Sequence, residues 1–457
     1  MEEGILVRIV EVCNISPSSH SSSESQISLP LASFDWICLR APLLQRLLFY
    51  PQTQIHDSFT DSIVPKLKRS LSLTLTHFLP LAGSLVWPED STLPFILYSP
   101  NDAVSFTVAD TTHSDFHHVS GHHPRQINDS LPLIPTVQSS HSRVSVMAIQ
   151  LTHFPNQGFS IGFAVHHVIF DGKSFNLFLK AWAYISKLIG NQLELELEFC
   201  PLPPELTPSF ERGPNVLRNP LDFVPNQRSV KCYTQVLPAS NYLIATFQLT
   251  PTHIQKLKKR VLEEVEQEEE ELHLSTFVVA YAYALICFIK SKGGECKEFV
   301  HFQLAADATG LLDPPVSSNY FGNCLAHPGM LMEAREFRGE NGFSKIAKKI
   351  SHLILELRTN RTVKVSSIAD CIQFHTKYFS TTEICSVADS PKFELYETDF
   401  GWGNPNKVEM VSLAKNVISL IDTKPDGIGG PGVEIGLLFP NHRQWDVFAS
   451  LFAQGIN

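Results

Sequence analysis

Between Arg143 and Ile189 the chain reads RVSVMAIQLTHF, then Pro155-Asn156-Gln157-Gly158, then FSIGFAVHHV. Two apolar runs about a short turn-forming stretch predict a β-hairpin. Phe175, Phe178, Leu179, Trp182, Ile185 and Ile189 follow at a spacing that predicts a helix over 173–189. A hairpin this apolar needs a covering layer, and the adjoining helix can supply one. His166, His167 and the sequence Asp171-Gly172-Lys173-Ser174 fall where the strand gives way to the helix. Loops at the ends of buried strands are where sites are built.

The rest of the chain fits the same layered plan. Ile63, Val64, Leu67, Leu71 and Leu75 predict a helix within 61–76. SLVWP, LPFILYSP and VSFTVAD read as short strands separated by Pro, Asp and Asn. Residues 191–225 hold seven prolines and no clean period, which suits a long crossover between domains. After it come a strand, YLIATFQL, a helix, PTHIQKLKKRVLEEV, an acidic run to Glu271, and a largely buried helix, LSTFVVAYAYALICFI. EFVHFQLAA is a strand and 342–359 a helix. VEMVSL, NVISLID and VEIGLLFP read as strands before a final helix, HRQWDVFASLFAQG. The expected class is α/β in the mixed α+β sense. The expected division is 1–190, a crossover at 191–225, and 226–457.

Charge narrows the partners. A formal net charge of -10 argues against a nucleic acid, whose phosphates demand a basic surface. No stretch approaches the ~18 consecutive apolar residues of a membrane span. The acidic start MEEGILVRIVEVC does not read as a secretory signal. Nine scattered cysteines without a CxxC suit reduced thiols in the cytoplasm.

Several familiar patterns fail on context. GFSIG, around Ser160, fits the serine-hydrolase pattern, but a turn precedes the serine and a strand follows it. GIGGPG at 427–432 leads into a strand, whereas a dinucleotide loop must open a helix. DGKS would need glycine where His167 stands to be a phosphate loop. The pairs His117-His118, His122-His123 and His166-His167 point to opposite faces if they lie in strands, so no metal is expected.

What remains is a histidine four residues before an aspartate. It occurs twice, as His167/Asp171 and as His442/Asp446. The second lies on an amphipathic helix, where an i,i+4 surface pair is the natural reading. The first ends a buried strand. There, alternation lets only one of His166 and His167 face a given cleft, and spacing does not say which.

HHVIFDG resembles the H-x-x-x-D-G motif of the plant BAHD acyltransferases, with His167 and Asp171 as the paired residues. Asp399, Phe400, Gly401, Trp402 and Gly403 form DFGWG, the family's second hallmark, about 230 residues later. FLPLAG at 78–83, LSTF at 274–277 and VFASLF near the end extend the likeness over nearly the whole chain. Asn319, Tyr320, Phe321, Gly322, Asn323 and Cys324 spell NYFGNC, which resembles the subgroup that acylates glycosides of anthocyanins, other flavonoids and simple phenolics.

The resemblance implies two chloramphenicol-acetyltransferase-like domains with a channel between them. It implies acyl-CoA as co-substrate, with malonyl-CoA ahead of hydroxycinnamoyl-CoA, and no resident cofactor or metal. A sugar hydroxyl must lose a proton as it attacks a thioester, and His167 is the implied base. Asp171 would orient the imidazole or, as the family favours, anchor the loop. DFGWG would be mostly structural. Lys256, Lys258 and Lys259, with Ser275 and Thr276, would line the CoA entrance, and Lys173 would meet a malonyl carboxylate. The implied protein is a cytoplasmic monomer of plant specialised metabolism acting on small molecules.

Three departures stand out. DATGLLDPP at 307–315 lacks the arginine usual there, so the expected partner of Asp171 is missing. A buried carboxylate then needs another cation or donor. Leu79 and Ile244 replace a usual tyrosine and a usual arginine. These losses keep a second class of reading open, a non-catalytic binding homologue.

Overall fold

Every residue of Gly158–Val165 is buried, the pattern of a strand covered on both faces. It runs antiparallel to Met147–Phe154 on one side and to Leu44–Pro51 on the other. The hairpin read from the sequence is present, at the middle of a six-stranded sheet. From edge to edge the strands are Val7–Ile15, Val104–Thr111, Met147–Phe154, Gly158–Val165, Leu44–Pro51 and Lys407–Met410. The computed structural model describes residues 5–18, 25–55, 57–112, 115–190, 199–212, 227–233, 242–264, 272–360, 381–424 and 430–456. Most of the expected crossover, the acidic run beyond Glu264 and the first glycines of GIGGPG lie outside the described residues.

The predicted helices form where their apolar stripes have something to cover. Val64–Leu75 and Gly172–Ile189 pack on each other. Leu67, Leu71, Phe178, Leu179 and Trp182 join Leu48, Phe159, Ile161 and Phe163 of the sheet in one core. The Trp182 indole would be costly to bury unpaired, and its N–H donates to Ser70 Oγ at 2.9 Å.

A second, seven-stranded sheet orders Gly329–Glu333, Phe299–Gln303, Thr382–Ala388, Val417–Asp422, Val433–Phe439, Leu243–Leu249 and Arg125–Gln126. Thr276–Ser291 is apolar nearly all round and lies inside its helical layer. Gly342–Asn360 and His442–Ile456 pack against that buried helix. The architecture is the expected mixed α/β.

Each sheet borrows a strand from the other half of the chain. Lys407–Met410 pairs with Leu44–Pro51 in the first sheet, and Arg125–Gln126 pairs with Leu243–Leu249 in the second. A third apolar cluster bridges the sheets, bringing Leu47, Phe49 and Ala164 together with Ile244 and Leu438.

Charges are buried across the same junction. Lys407 Nζ lies 3.0 Å from Glu434 Oε2 and donates to Thr246 Oγ1 at 2.7 Å. Arg125 pairs with Glu409, which also accepts from Ser130 Oγ. Removing one member of such a pair leaves its partner buried without its counter-charge. Lys407→Met is therefore expected to cost about 3–5 kcal/mol of stability, read as a lower midpoint in chemical denaturation.

Candidate active site

The strand ends at Val165, so the two histidines lie in a turn, not in the strand as the alternation argument assumed. His166 N donates to Val146 O at 2.8 Å and Ile169 N to His166 O at 3.2 Å, which bends the chain away from the sheet. The turn still separates the two rings. His166 is fully buried, and its Nδ1 accepts from Val168 N at 3.1 Å. Burial, helped by the neighbouring His167, pushes the His166 imidazole down to about 3, so it stays neutral. His167 keeps partial exposure while its Nδ1 is sealed without a hydrogen-bond partner. Burial pushes this ring down, but the Cys38 sulfur, the ring's own main-chain carbonyl and the Asp171 carboxylate together raise it to about 9.

Asp171 caps the Gly172–Ile189 helix, its Oδ1 accepting from Ser174 N at 3.0 Å. Its Oδ2 accepts from Cys324 N at 3.2 Å. Those two main-chain amides stand where a guanidinium was expected, so the carboxylate is satisfied without an arginine. Burial raises the Asp171 carboxyl above its ordinary value, and the amides oppose that shift. The side-chain bonds of the carboxylate go to the loop and to NYFGNC, not to the imidazole.

NYFGNC wraps this loop almost residue by residue. Ser174 Oγ meets Tyr320 O at 3.3 Å and Gly322 O at 3.1 Å. The Phe321 ring sits between Phe78, Phe170 and Phe210, with centroids 5.2, 5.7 and 5.2 Å away. Asn323 Nδ2 donates to His167 O at 2.8 Å. On its other side the motif is held by Ser209: Ser209 N donates to Asn319 O, and Phe321 N to Ser209 O. A side chain at Gly322 would meet the Arg212 guanidinium and the Tyr320 ring and would have to displace them.

Lys173 is already engaged. Its Nζ donates to Asp307 Oδ2 at 2.7 Å and to Thr309 Oγ1 at 3.2 Å. An acyl carboxylate arriving at Lys173 would compete with Asp307, the first residue of the stretch that lacks the family arginine.

DFGWG lies in the aromatic core. Asp399 Oδ1 accepts from Gly401 N at 2.7 Å and from Gly403 N at 2.9 Å, and both glycines have positive φ, 110° and 102°. Phe400 and Trp402 pack around Tyr50, and Phe400 also meets Trp182. Tyr50 Oη donates to Thr398 O at 2.8 Å. This clasp delivers Lys407–Met410 to the first sheet.

The residues implied for CoA lie on two neighbouring helices, Pro251–Glu264 and Thr276–Ser291. Lys256 and Lys259 are exposed and Lys258 half-exposed. Lys256 Nζ reaches Ile456 O at 3.4 Å, and Lys259 lies 3.5 Å from Glu263. Ser275 caps its helix by accepting from Val278 N, and Thr276 opens it; a capped helix N-terminus suits a phosphate.

Two other patterns lie in ordinary secondary structure. Ser160 is interior to a strand, with its Oγ buried and unpaired. His442 and Asp446 are both exposed on the final helix. Among the described residues no group of three or more His, Cys, Asp or Glu is arranged to hold a metal ion, and no helix is long and apolar enough to cross a membrane. Sequence reasoning missed Asp35, Cys38 and Arg212. Arg212 fell in the segment read as a crossover, and Asp35 and Cys38 sit in a short turn with no period to mark them.

A model of the Transferase family matches residues 6–444. The chain is 37% identical to phenolic glucoside malonyltransferase 1 of Arabidopsis thaliana, covering 98% of each chain. It is 36% identical to that plant's malonyl-CoA:anthocyanidin 5-O-glucoside-6''-O-malonyltransferase, again covering 98% of each. The crystal structure of vinorine synthase superposes with a TM-score of 0.69 at 18% identity over 98% of both chains, a likeness of fold. Full-length matches of this kind define an acyltransferase. The chain belongs to the BAHD branch of the transferase family, whose members use acyl-CoA as co-substrate.

The two histidines carry opposite pH signatures. His166 titrates at about 3 when folded against 6.5 ordinarily, so its neutral burial contributes stability above pH 6.5 that is lost as pH falls. His167, at about 9 folded, contributes stability below pH 6.5 that is lost as pH rises through 9. His166→Gln is expected to flatten the acid side of a plot of denaturation midpoint against pH and to leave the alkaline side unchanged.

Proposed function

We propose that the protein transfers an acyl group, malonyl foremost, from CoA to a sugar hydroxyl of a phenolic or flavonoid glycoside, with His167 as general base. The observation that carries this reading is the contrast between the two histidines. One is buried and neutral; the other is partly open at the end of a buried strand, in a loop pinned by Asp171 and NYFGNC. Full-length likeness to glucoside malonyltransferases supports this choice of substrate class.

The chemistry follows from the ring's state. Neutral imidazole removes the hydroxyl proton as the oxygen attacks the thioester carbonyl. The resulting imidazolium then protonates the departing CoA thiolate. Neither a covalent enzyme intermediate nor a metal is needed for this sequence. Because His167 is raised to about 9, only its neutral fraction serves as base, and kcat/KM should climb with pH toward that value. Asp171 acts on the loop, and DFGWG acts through the strand it delivers.

Purified protein offered malonyl-, acetyl- and coumaroyl-CoA with phenolic and flavonoid glucosides should yield a malonylated product by mass spectrometry. His167→Ala should abolish it; His166→Ala should lower the melting temperature more than the turnover of folded protein. Equal residual activity in both variants removes the base assignment, and no product with any donor favours the binding homologue. If Lys173 serves the malonyl carboxylate, Lys173→Ala raises KM for malonyl-CoA more than for acetyl-CoA. Asp307→Asn, which releases the lysine, lowers it.

A further inference from the structure

Asn323 occupies a site that dictates its chemistry. It is 2% exposed, and its Nδ2 faces three acceptors: Asp35 Oδ1 at 2.9 Å, His167 O at 2.8 Å and Val168 O at 3.3 Å. A side-chain amide has two hydrogens, so one is shared between the two neighbouring carbonyls. The Asn323 main-chain N–H donates to the same Asp35 oxygen at 3.2 Å. Its own Oδ1 is buried without a partner. Turned over, the amide would aim that oxygen at a carboxylate and two carbonyls. Only a donor belongs here, and an aspartate of the same shape would be repelled on every side.

Asp35 passes the restraint on. It is fully buried, and its Oδ2 accepts from Ala32 N at 2.7 Å and lies 3.5 Å from Arg212 Nη2. It opens the short helical turn Asp35–Cys38. Cys38, at the end of that turn, interacts with the His167 ring. Asn323 therefore touches the base from two directions, through the main chain of His167 and through the turn that carries its side-chain neighbour. The next residue, Cys324, holds Asp171 at the far end of the same loop.

We propose that Asn323 is a positioning residue for the base: its amide fixes the His167 main chain and, through Asp35, the turn Asp35–Cys38. This rests on His167 being the base. Asn323 touches no reacting atom; it acts by holding the ring where the acceptor hydroxyl meets it. A misplacement of about 1 Å at a reacting group can cost on the order of a hundredfold in rate.

Asn323→Asp should lower kcat about a hundredfold with KM for both substrates within about twofold. Asn323→Ser, which replaces the amide donors by one shorter hydroxyl without adding charge, should lie between it and the parent. Asn319→Ala serves as the structural comparison. It removes amide bonds to Pro204 O and Thr207 O from the same motif without touching the His167 loop. It should lower the melting temperature while sparing kcat. If kcat tracks the melting temperature alike in the Asn319 and Asn323 variants, the role is structural and the proposal falls.

A second arm needs neither turnover nor a replaced Asn323. The groups facing the His167 ring are Cys38 on its turn, Asp171 on the same loop and His166 beside it, with the Asp35–Arg212 pair behind Asn323. Cys38→Ala leaves all the Asn323 bonds in place. In histidine-labelled protein, with the resonance assigned by its loss in His167→Ala, the ring should titrate lower in Cys38→Ala than in the parent. An unchanged titration overturns the link through the turn. A parent that turns over no donor defeats the reading of function instead, and the titration then decides only whether the turn carrying Cys38 acts on the His167 ring.

Discussion

A carboxylate buried without its arginine must be answered by hydrogen bonds, and Asp171 is answered from both halves of the chain at once. One oxygen takes the first turn of its own helix, and the other takes the Cys324 amide some 150 residues on. Closing that contact fixes the loop that bears His167 and presses NYFGNC onto it. The Ser174 hydroxyl, the Phe321 ring and the Asn323 amide then fall into register around the same loop. The expected arginine is not needed, because main-chain donors cost less to desolvate than a cation and leave no second charge to satisfy.

The same logic operates on the scale of the sheets. Two bodies that merely touched would slide; here each lends the other a strand. DFGWG is the device for one of these exchanges. Its aspartate closes a turn that only residues free to adopt positive φ can follow, and its aromatics lock into the first core. Lys407 and Glu409 arrive on the delivered strand and meet Glu434 and Arg125 in the space between the sheets. Buried pairs of this kind tolerate few alternative registers, since a slipped strand would leave every one of them unpaired.

Much of this was legible in the chain. The hairpin, the helices at 64–75, 172–189, 251–264, 276–291, 342–360 and 442–456, and the rejection of a nucleophilic Ser160 all followed from periodicity and turn chemistry. The assumption that the histidines continue the strand was wrong in detail, because the chain turns after Val165. The separation of the two rings survives because a tight turn also sends adjacent side chains apart. Leu44–Pro51 and Val7–Ile15 escaped notice, the first because it is apolar without alternation and the second because most of its residues are exposed.

By itself the sequence determined the long helices and the central hairpin, which histidine-to-aspartate spacing sits in a buried strand-to-helix junction, and, through three short motifs in order, the family. Those are local properties, written in spacing. What only the tertiary structure decided is who meets whom: Asp171 with Cys324, Asn323 with Asp35 and His167, Lys173 with Asp307, and Lys407 with Glu434. Each joins residues far apart in the chain, and each depends on burial. A polar group excluded from water takes whatever partner the packed fold brings within reach, and no spacing along the sequence records that choice.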